Sequence, residues 1–243
     1  MEPDPTHDKL LLAKELNDLR LLHLADSALP IGALAHSFGL ESLASLDLLQ
    51  ACDLLSFLQG YLEEAGTMEA VFCRASFRLI GSNGQKFSTH TWVEINDRFS
   101  AFRAARESRA GSASLGLNFL NAILGLGEFS ILQNALNASK RSGSPIHHCT
   151  AFGLASAVLG FEESSAVLAY LHQTVASLVS ACQRLLPLGQ SAATRILWNL
   201  KPAIIAASQR SASGEIEDAA CFMPLLDWGA MEHPELTTRL FIS

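Results

Sequence analysis

The stretch from Ala151 to Gly160 is small and apolar on nearly every side, so no face of it is suited to water. A helix of that composition belongs in the middle of a protein or in a membrane. Crossing a bilayer takes about 18 or more uninterrupted apolar residues. The most apolar run, Phe152 to Phe161, is bounded by His147-His148 and Glu162-Glu163 and is too short. It therefore predicts a central, fully buried helix around which the rest of the chain wraps, with no membrane association.

The surrounding sequence reads as further helix. Leu12, Leu16, Leu19 and Leu22 recur at helical spacing until Ser27-Ala28-Leu29-Pro30, where proline biases its predecessor out of the helical region. Leu54, Leu55, Leu58, Leu62 and Ala65 make a stripe ended by Gly66. Met68, Val71, Phe72, Ala75 and Leu79 make a second before Gly81-Ser82-Asn83-Gly84, and together they predict a helical hairpin. From Trp92 a seam runs through Ile95, Phe99 and Phe102, and its spacing carried onward lands on Arg106 and Arg109. Those arginines lie in solvent, or pair inward with a carboxylate, or are kept for a partner.

Leu115 to Leu136, dotted with Gly116, Gly125 and Gly127, predicts two shorter helices, and Lys140 to Pro145 a polar loop. Ser165 to Leu186 predicts a long helix with Leu168, Leu171, Val175, Leu178 and Cys182 on one stripe, stopped by Pro187-Leu188-Gly189. Another follows from about Ser191 to Ser208, and Ser211 to Gly214 is a linker. Trp228 to Ser243 has no sustained period and is expected to be extended, and mobile unless docked. Neither a repeat nor a composition break divides the chain. The expected fold is all-α, one helical-bundle domain over residues 1–243, with residues 1–8 flexible and 228–243 a partner-docking tail.

Composition narrows the function. A net charge of −7 disfavours nucleic acid as a partner. With 49% apolar and only 17% charged residues, little charge is left to solvate a surface, which favours an oligomer or a partner-covered protein. Phosphate-binding loops, dinucleotide fingerprints, zincin motifs and nucleophile elbows are all missing from the sequence. No catalytic residue, cofactor or metal site is therefore expected. Cys52, Cys73, Cys149, Cys182 and Cys221 are odd in number, dispersed and without a C-x-x-C pair. They read as small buried hydrophobes in a reducing cytosol. The acidic, proline-broken start lacks the pattern of an export signal, so a cytoplasmic location is expected.

His147 and His148 are adjacent, which on a helix sends them to different faces and favours structural roles over metal binding. His36 beside Ser37, with Glu41 nearby, supports an alternative reading as a helical enzyme or small-ligand binder. Near the end, His233, Trp228, Arg239, Leu240 and Phe241 form the mixture that protein-binding hot spots favour.

Three segments taken together carry a family resemblance. They are Leu24 to Gly32 with Ala35 to Glu41, Arg184 to Gln190, and Arg239 to Ser243. The chain resembles the urease accessory protein UreF family from about Leu21 to Ser243, departing from the family's habit at Ala33, Leu117 and Trp228. The resemblance implies an all-α, commonly dimeric, non-enzymatic protein that bridges UreD (also called UreH) and the GTPase UreG. That complex loads nickel into apo-urease. GTP chemistry would then belong to UreG, which such proteins are also proposed to regulate. The partner-binding positions expected are Pro30, His36, Ser37, Glu41, Arg106, Arg109, Gly189, Gln190, His233, Arg239, Leu240, Phe241 and Ser243. A further possibility is that nickel is held directly by His147, His148 or Cys149.

Overall fold

The computed structural model describes residues 5–26, 28–81 and 87–243. Residues 1–4, Ser27 and the turn expected at 82–84 lie outside them. Among the described residues the chain is all-α, without strands. The helices are α1 (Pro5–Leu24), α2 (Leu40–Ser45), α3 (Leu54–Tyr61), α4 (Thr67–Phe77), α5 (Thr89–Phe102) and α6 (Arg106–Leu124). They continue as α7 (Ser130–Ser142), α8 (His148–Val158), α9 (Glu163–Leu185), α10 (Gln190–Asn199), α11 (Lys201–Arg210) and α12 (Pro224–Glu232).

The central helix is α8, buried from His148 to Ser156. It is enclosed by α4, α6 and α9. Its closest neighbour sets its composition: a Cβ at Gly153 would sit 2.0 Å from the Cys73 carbonyl oxygen, so α4 and α8 cross backbone to backbone. Phe119 stacks on Phe152 at 5.3 Å, and Tyr170 of α9 tilts against Phe152 at 5.6 Å, filling the space beside that crossing.

The expected hairpin at Gly66 does not form. Helix α3 passes without a turn into a π-helical segment, Leu62–Gly66, and then into α4. Gly66 keeps helical angles, φ −62° and ψ −41°. The Thr67 hydroxyl donates to the Leu62 carbonyl at 2.9 Å across the widened turn. Glycine here admits a close neighbour instead of ending the helix, since a Cβ would lie 3.2 Å from Leu62 Cδ2.

The seam from Trp92 is also interrupted. Helix α5 ends at Phe102, and Arg103 adopts extended angles (φ −94°, ψ 91°), so Arg106 and Arg109 belong to a new helix and not to the old stripe. Toward the C-terminus the predicted helix from Ser191 divides at Leu200. Pro202 lies in the first turn of α11, where its missing N–H is tolerated. Trp228, expected in an extended tail, lies in α12, which opens on Pro224.

Two apolar helices behave differently from their patterns. On α1 the recurring leucines face outward, with Leu12, Leu19 and Leu22 each about two-thirds exposed. Helix α9, at 23 residues, is long and apolar enough to cross a membrane by length and composition. Its Val167, Leu171, Val175 and Cys182 are completely buried in this fold, the placement of a core helix.

Candidate functional site

A chain turn brings the first site together. Gly39 has φ +96° and immediately precedes α2, and a Cβ there would lie 2.7 Å from the Ala230 main-chain nitrogen of α12. That close approach lays the chain's last helix across α2. Glu41, in the first turn of α2 and 5% exposed, faces the segment that follows α12.

The Glu41 carboxylate accepts the main-chain N–H of Leu240 at 2.6 Å and of Phe241 at 3.1 Å. Its Oε2 also lies 2.9 Å from Nε2 of the completely buried His233. The other ring nitrogen of His233, Nδ1, is 2.6 Å from Glu107 Oε2 at the start of α6. Arg239 reaches Glu107 Oε1 at the long distance of 3.5 Å.

The last residues are tied to the loop before α2. The N–H groups of Ser37 and Phe38 both donate to the Ser243 carbonyl, and Ile242 N–H donates to Ala35 O at 2.8 Å. His36 Nδ1 lies 2.7 Å from Ser243 Oγ. Burial holds the His36 ring below its ordinary pKa. From α9, Arg184 donates to Leu34 O at 2.8 Å and stacks over the Phe241 ring at 4.2 Å. The expected extended tail is thus folded back on its own chain, with Phe241 and Ser243 buried.

A second polar cluster lies inside the bundle. The Glu69 carboxylate, on α4, accepts the hydroxyls of Tyr61 at 3.2 Å and Tyr170 at 2.7 Å, and pairs with Arg103. Burial, followed by the Glu69 charge, pushes both phenols well above their ordinary range. For Arg103 burial alone would lower the pKa, but Glu69 and its neighbours raise it, so the guanidinium stays charged. Beside this cluster is a cavity of about 40 Å³. Arg103 Nε, His148 Nε2, Gln173 Oε1 and Ser177 Oγ border it without hydrogen-bond partners in the chain.

His147 and His148 are packing residues here. His147 places Nε2 2.7 Å from Ser100 Oγ and Nδ1 3.1 Å from Ser112 Oγ, and its N–H donates to Asn96 Oδ1 at 2.9 Å. Burial first, then Arg103 and Arg109, lower its pKa to about 3. His148, against Phe119 and Tyr170, is lowered by burial to about 4. Cys149 is also buried, and no group of three or more His, Cys, Asp or Glu that could hold a metal occurs among the described residues.

The structure therefore joins His36, Ser37, Glu41, His233, Arg239, Leu240, Phe241 and Ser243, which are dispersed in sequence. Pro30, Arg106, Gly189 and Gln190 are exposed and stand outside that cluster's hydrogen bonds. Arg109 donates to the carbonyls of Arg103 and Ala104, closing the end of α5. Ser37 is completely buried, with its Oγ 3.4 Å from the Glu41 N–H, and His36 faces Ser243 instead. The His36 ring and the Ser37 hydroxyl are therefore not paired with each other. Glu107 and the cluster of Glu69 and Arg103 escaped the sequence reading, which named Arg184 only as the start of the Arg184 to Gln190 segment. A carboxylate inside the apolar run Met68 to Phe72 was the available signal for Glu69.

Comparison with known proteins bears on what this arrangement serves. The profile of the family described as UreF matches residues 49–201. A urease accessory protein UreF from Nostoc sp. is 32% identical over 226 residues, covering 93% of this chain and 95% of the relative. The chain belongs to the UreF family. A UreF from Corynebacterium glutamicum is 31% identical across 93% of this chain. One from Rhodopseudomonas palustris is 29% identical across 99% of it. The matched UreF region holds the Glu69 cluster and Glu107, while the loop before α2 and the C-terminal tail lie outside its bounds.

Proposed function

We propose that this chain is a non-enzymatic urease accessory protein, a scaffold that bridges UreD (UreH) and the GTPase UreG in the complex inserting nickel into apo-urease. The observation that carries this reading is the likeness, over nearly the whole chain, to relatives named urease accessory protein UreF. The sequence has no phosphate-binding loop, which suits a protein that leaves GTP hydrolysis to UreG and regulates it from outside. Nickel is cargo in this scheme and passes through a path built with partners.

Physical support comes from what the surface leaves uncovered. Leu240 and Ile242 are 57% and 68% exposed beside Arg239, on a tail whose inner side is held by Glu41 and Arg184. Exposed apolar residues around a half-exposed arginine suit a protein interface. In this reading Pro30, Arg106, Arg109, Gly189, Gln190, Arg239 and Leu240 meet partners. His36, Ser37, Glu41, His233, Phe241 and Ser243 hold the binding surface from beneath. The outward leucines of α1 suit a homodimer, and the setting is the cytoplasm.

Co-purification with UreD and UreG, followed by mass measurement of the assembly, tests the proposal. Removing residues 233–243 should leave a folded helical protein that no longer assembles. An unchanged complex after that deletion counts against the tail as the docking element, and no complex with the intact chain overturns the scaffold reading.

A further inference from the structure

Within α9, Tyr170, Gln173 and Ser177 recur at three- and four-residue spacing, which puts them on one face of the helix. That face borders the cavity of about 40 Å³ beside Glu69 and Arg103. Gln173 is 1% exposed, and its Nε2 donates to the Asp26 carbonyl at 3.3 Å, leaving Oε1 at the cavity wall. His148 is 8% exposed, and Phe119 and Tyr170 pack its ring so that Nε2 borders the same space. Neither atom has a hydrogen-bond partner among the described residues, nor do Arg103 Nε and Ser177 Oγ. Polar groups inside a protein are costly to leave unpaired.

The chemistry of these four atoms decides what can complete them. Arg103 Nε only donates and Gln173 Oε1 only accepts, whereas the Ser177 hydroxyl and a neutral imidazole can do either. A bare cation would face the Arg103 N–H, and an anion would face the Gln173 oxygen. Glu69 and Arg103 cancel each other's charge, and the Glu69 carboxylate already takes Tyr61, Tyr170 and Arg103. The occupant must therefore be uncharged and must both give and take hydrogen bonds. A buried water needs about 10–15 Å³ and two to four polar partners, so this cavity has room for about three.

We propose that the cavity is an internal water site, in which about three water molecules join Arg103, His148, Gln173 and Ser177 in one hydrogen-bonded cluster. These waters tie α9 to the start of α8 and to the end of α5, across a gap that no side chain bridges. His36 and Phe38, from the loop before α2, form another part of the wall. The site thus lies between the interior ion pair and the loop that holds Ser243.

The test uses the isolated full chain, so its outcome is separate from that of the partner reading. A high-resolution crystal structure should show ordered waters within hydrogen-bond distance of His148 Nε2 and Gln173 Oε1. Crystals pressurised with xenon, which enters dry apolar cavities, should hold none there. In solution, oxygen-17 relaxation dispersion of the solvent counts long-lived internal waters. Ser177→Leu puts a side chain into the cavity and should remove about two or three of them. Xenon or a buffer solute in place of water, no water density at either atom, or an unchanged count in folded Ser177→Leu would each overturn the proposal. If that variant does not fold, the wild-type density and the xenon result decide.

Discussion

Glu41 and His233 stand 192 residues apart in the chain and 2.9 Å apart in the fold. Glu41→Ala removes the acceptor for two main-chain N–H groups and one of the two carboxylates facing a buried ring. The expected loss is about 3 kcal/mol of stability. Denaturant titration checks it, and limited proteolysis should show cleavage after residue 235 ahead of any cut in α8. Wild-type stability in this variant would mean the tail is held by other contacts.

Breaking the interior ion pair should cost more. Glu69 is 2% exposed and Arg103 13%, so Glu69→Ala leaves a buried guanidinium without its carboxylate and two phenols without an acceptor. A loss of about 3 to 5 kcal/mol is expected, against a smaller loss for the double change Glu69→Ala with Arg103→Met. A double-mutant cycle measures the difference, and additive effects would contradict a coupled pair.

Stability should fall in mild acid. His147 and His148 have folded-state pKa values lowered from 6.5 to about 3 and about 4. Their neutral forms therefore contribute stability that is fully present above pH 6.5. It is lost as pH drops toward 4, because the unfolded chain binds the protons first. Each residue adds a slope of up to about 1.4 kcal/mol per pH unit. Melting temperature followed from pH 7 to 4.5 gives this slope, and His148→Phe should flatten it. A variant with the wild-type pH dependence would argue that His148 is not the group responsible.

The α4–α8 crossing admits no side chain on its inner face. In Gly153→Ala the new methyl would meet the Cys73 carbonyl oxygen at 2.0 Å, and a backbone group cannot swing aside. A destabilisation of more than about 3 kcal/mol is expected, read as a drop in melting temperature. Gly60→Ala, where the added methyl meets nothing within 4 Å, is the control and should be close to neutral.

Elements with strong local punctuation were legible in the sequence. The all-round apolar character of α8 marked the centre, and Pro187 marked the end of α9 to within two residues. Gly66 misled because a glycine at the end of an apolar stripe reads as a stop, whereas here it leaves room for the Leu62 side chain within a continuous helix. Helix α12 was missed for the opposite reason, since its nine residues carry too little periodicity to stand out from a loop. The tail cluster could be listed residue by residue from family likeness. Its geometry could not be read, because hydrogen bonds between residues 37 and 243 leave no pattern along the chain. Glu107 was hidden in an ordinary charged run, whose solvated reading is usually right.

The π-helical segment Leu62–Gly66 has a consequence for how the long rod is aimed. A single surplus residue in a helix advances the phase of everything after it by about 100°. The rod before that offset packs against α10, and the rod after it packs along α8. Excising one residue, such as the exposed Glu63, would restore ordinary winding and swing Glu69 away from Tyr170, and Arg74 of α4 away from Glu163 of α9, with which it forms an ion pair at 2.7 Å. The irregular turn thus works as a mitre joint, letting one unbroken strut lie flush against two neighbours set at different bearings.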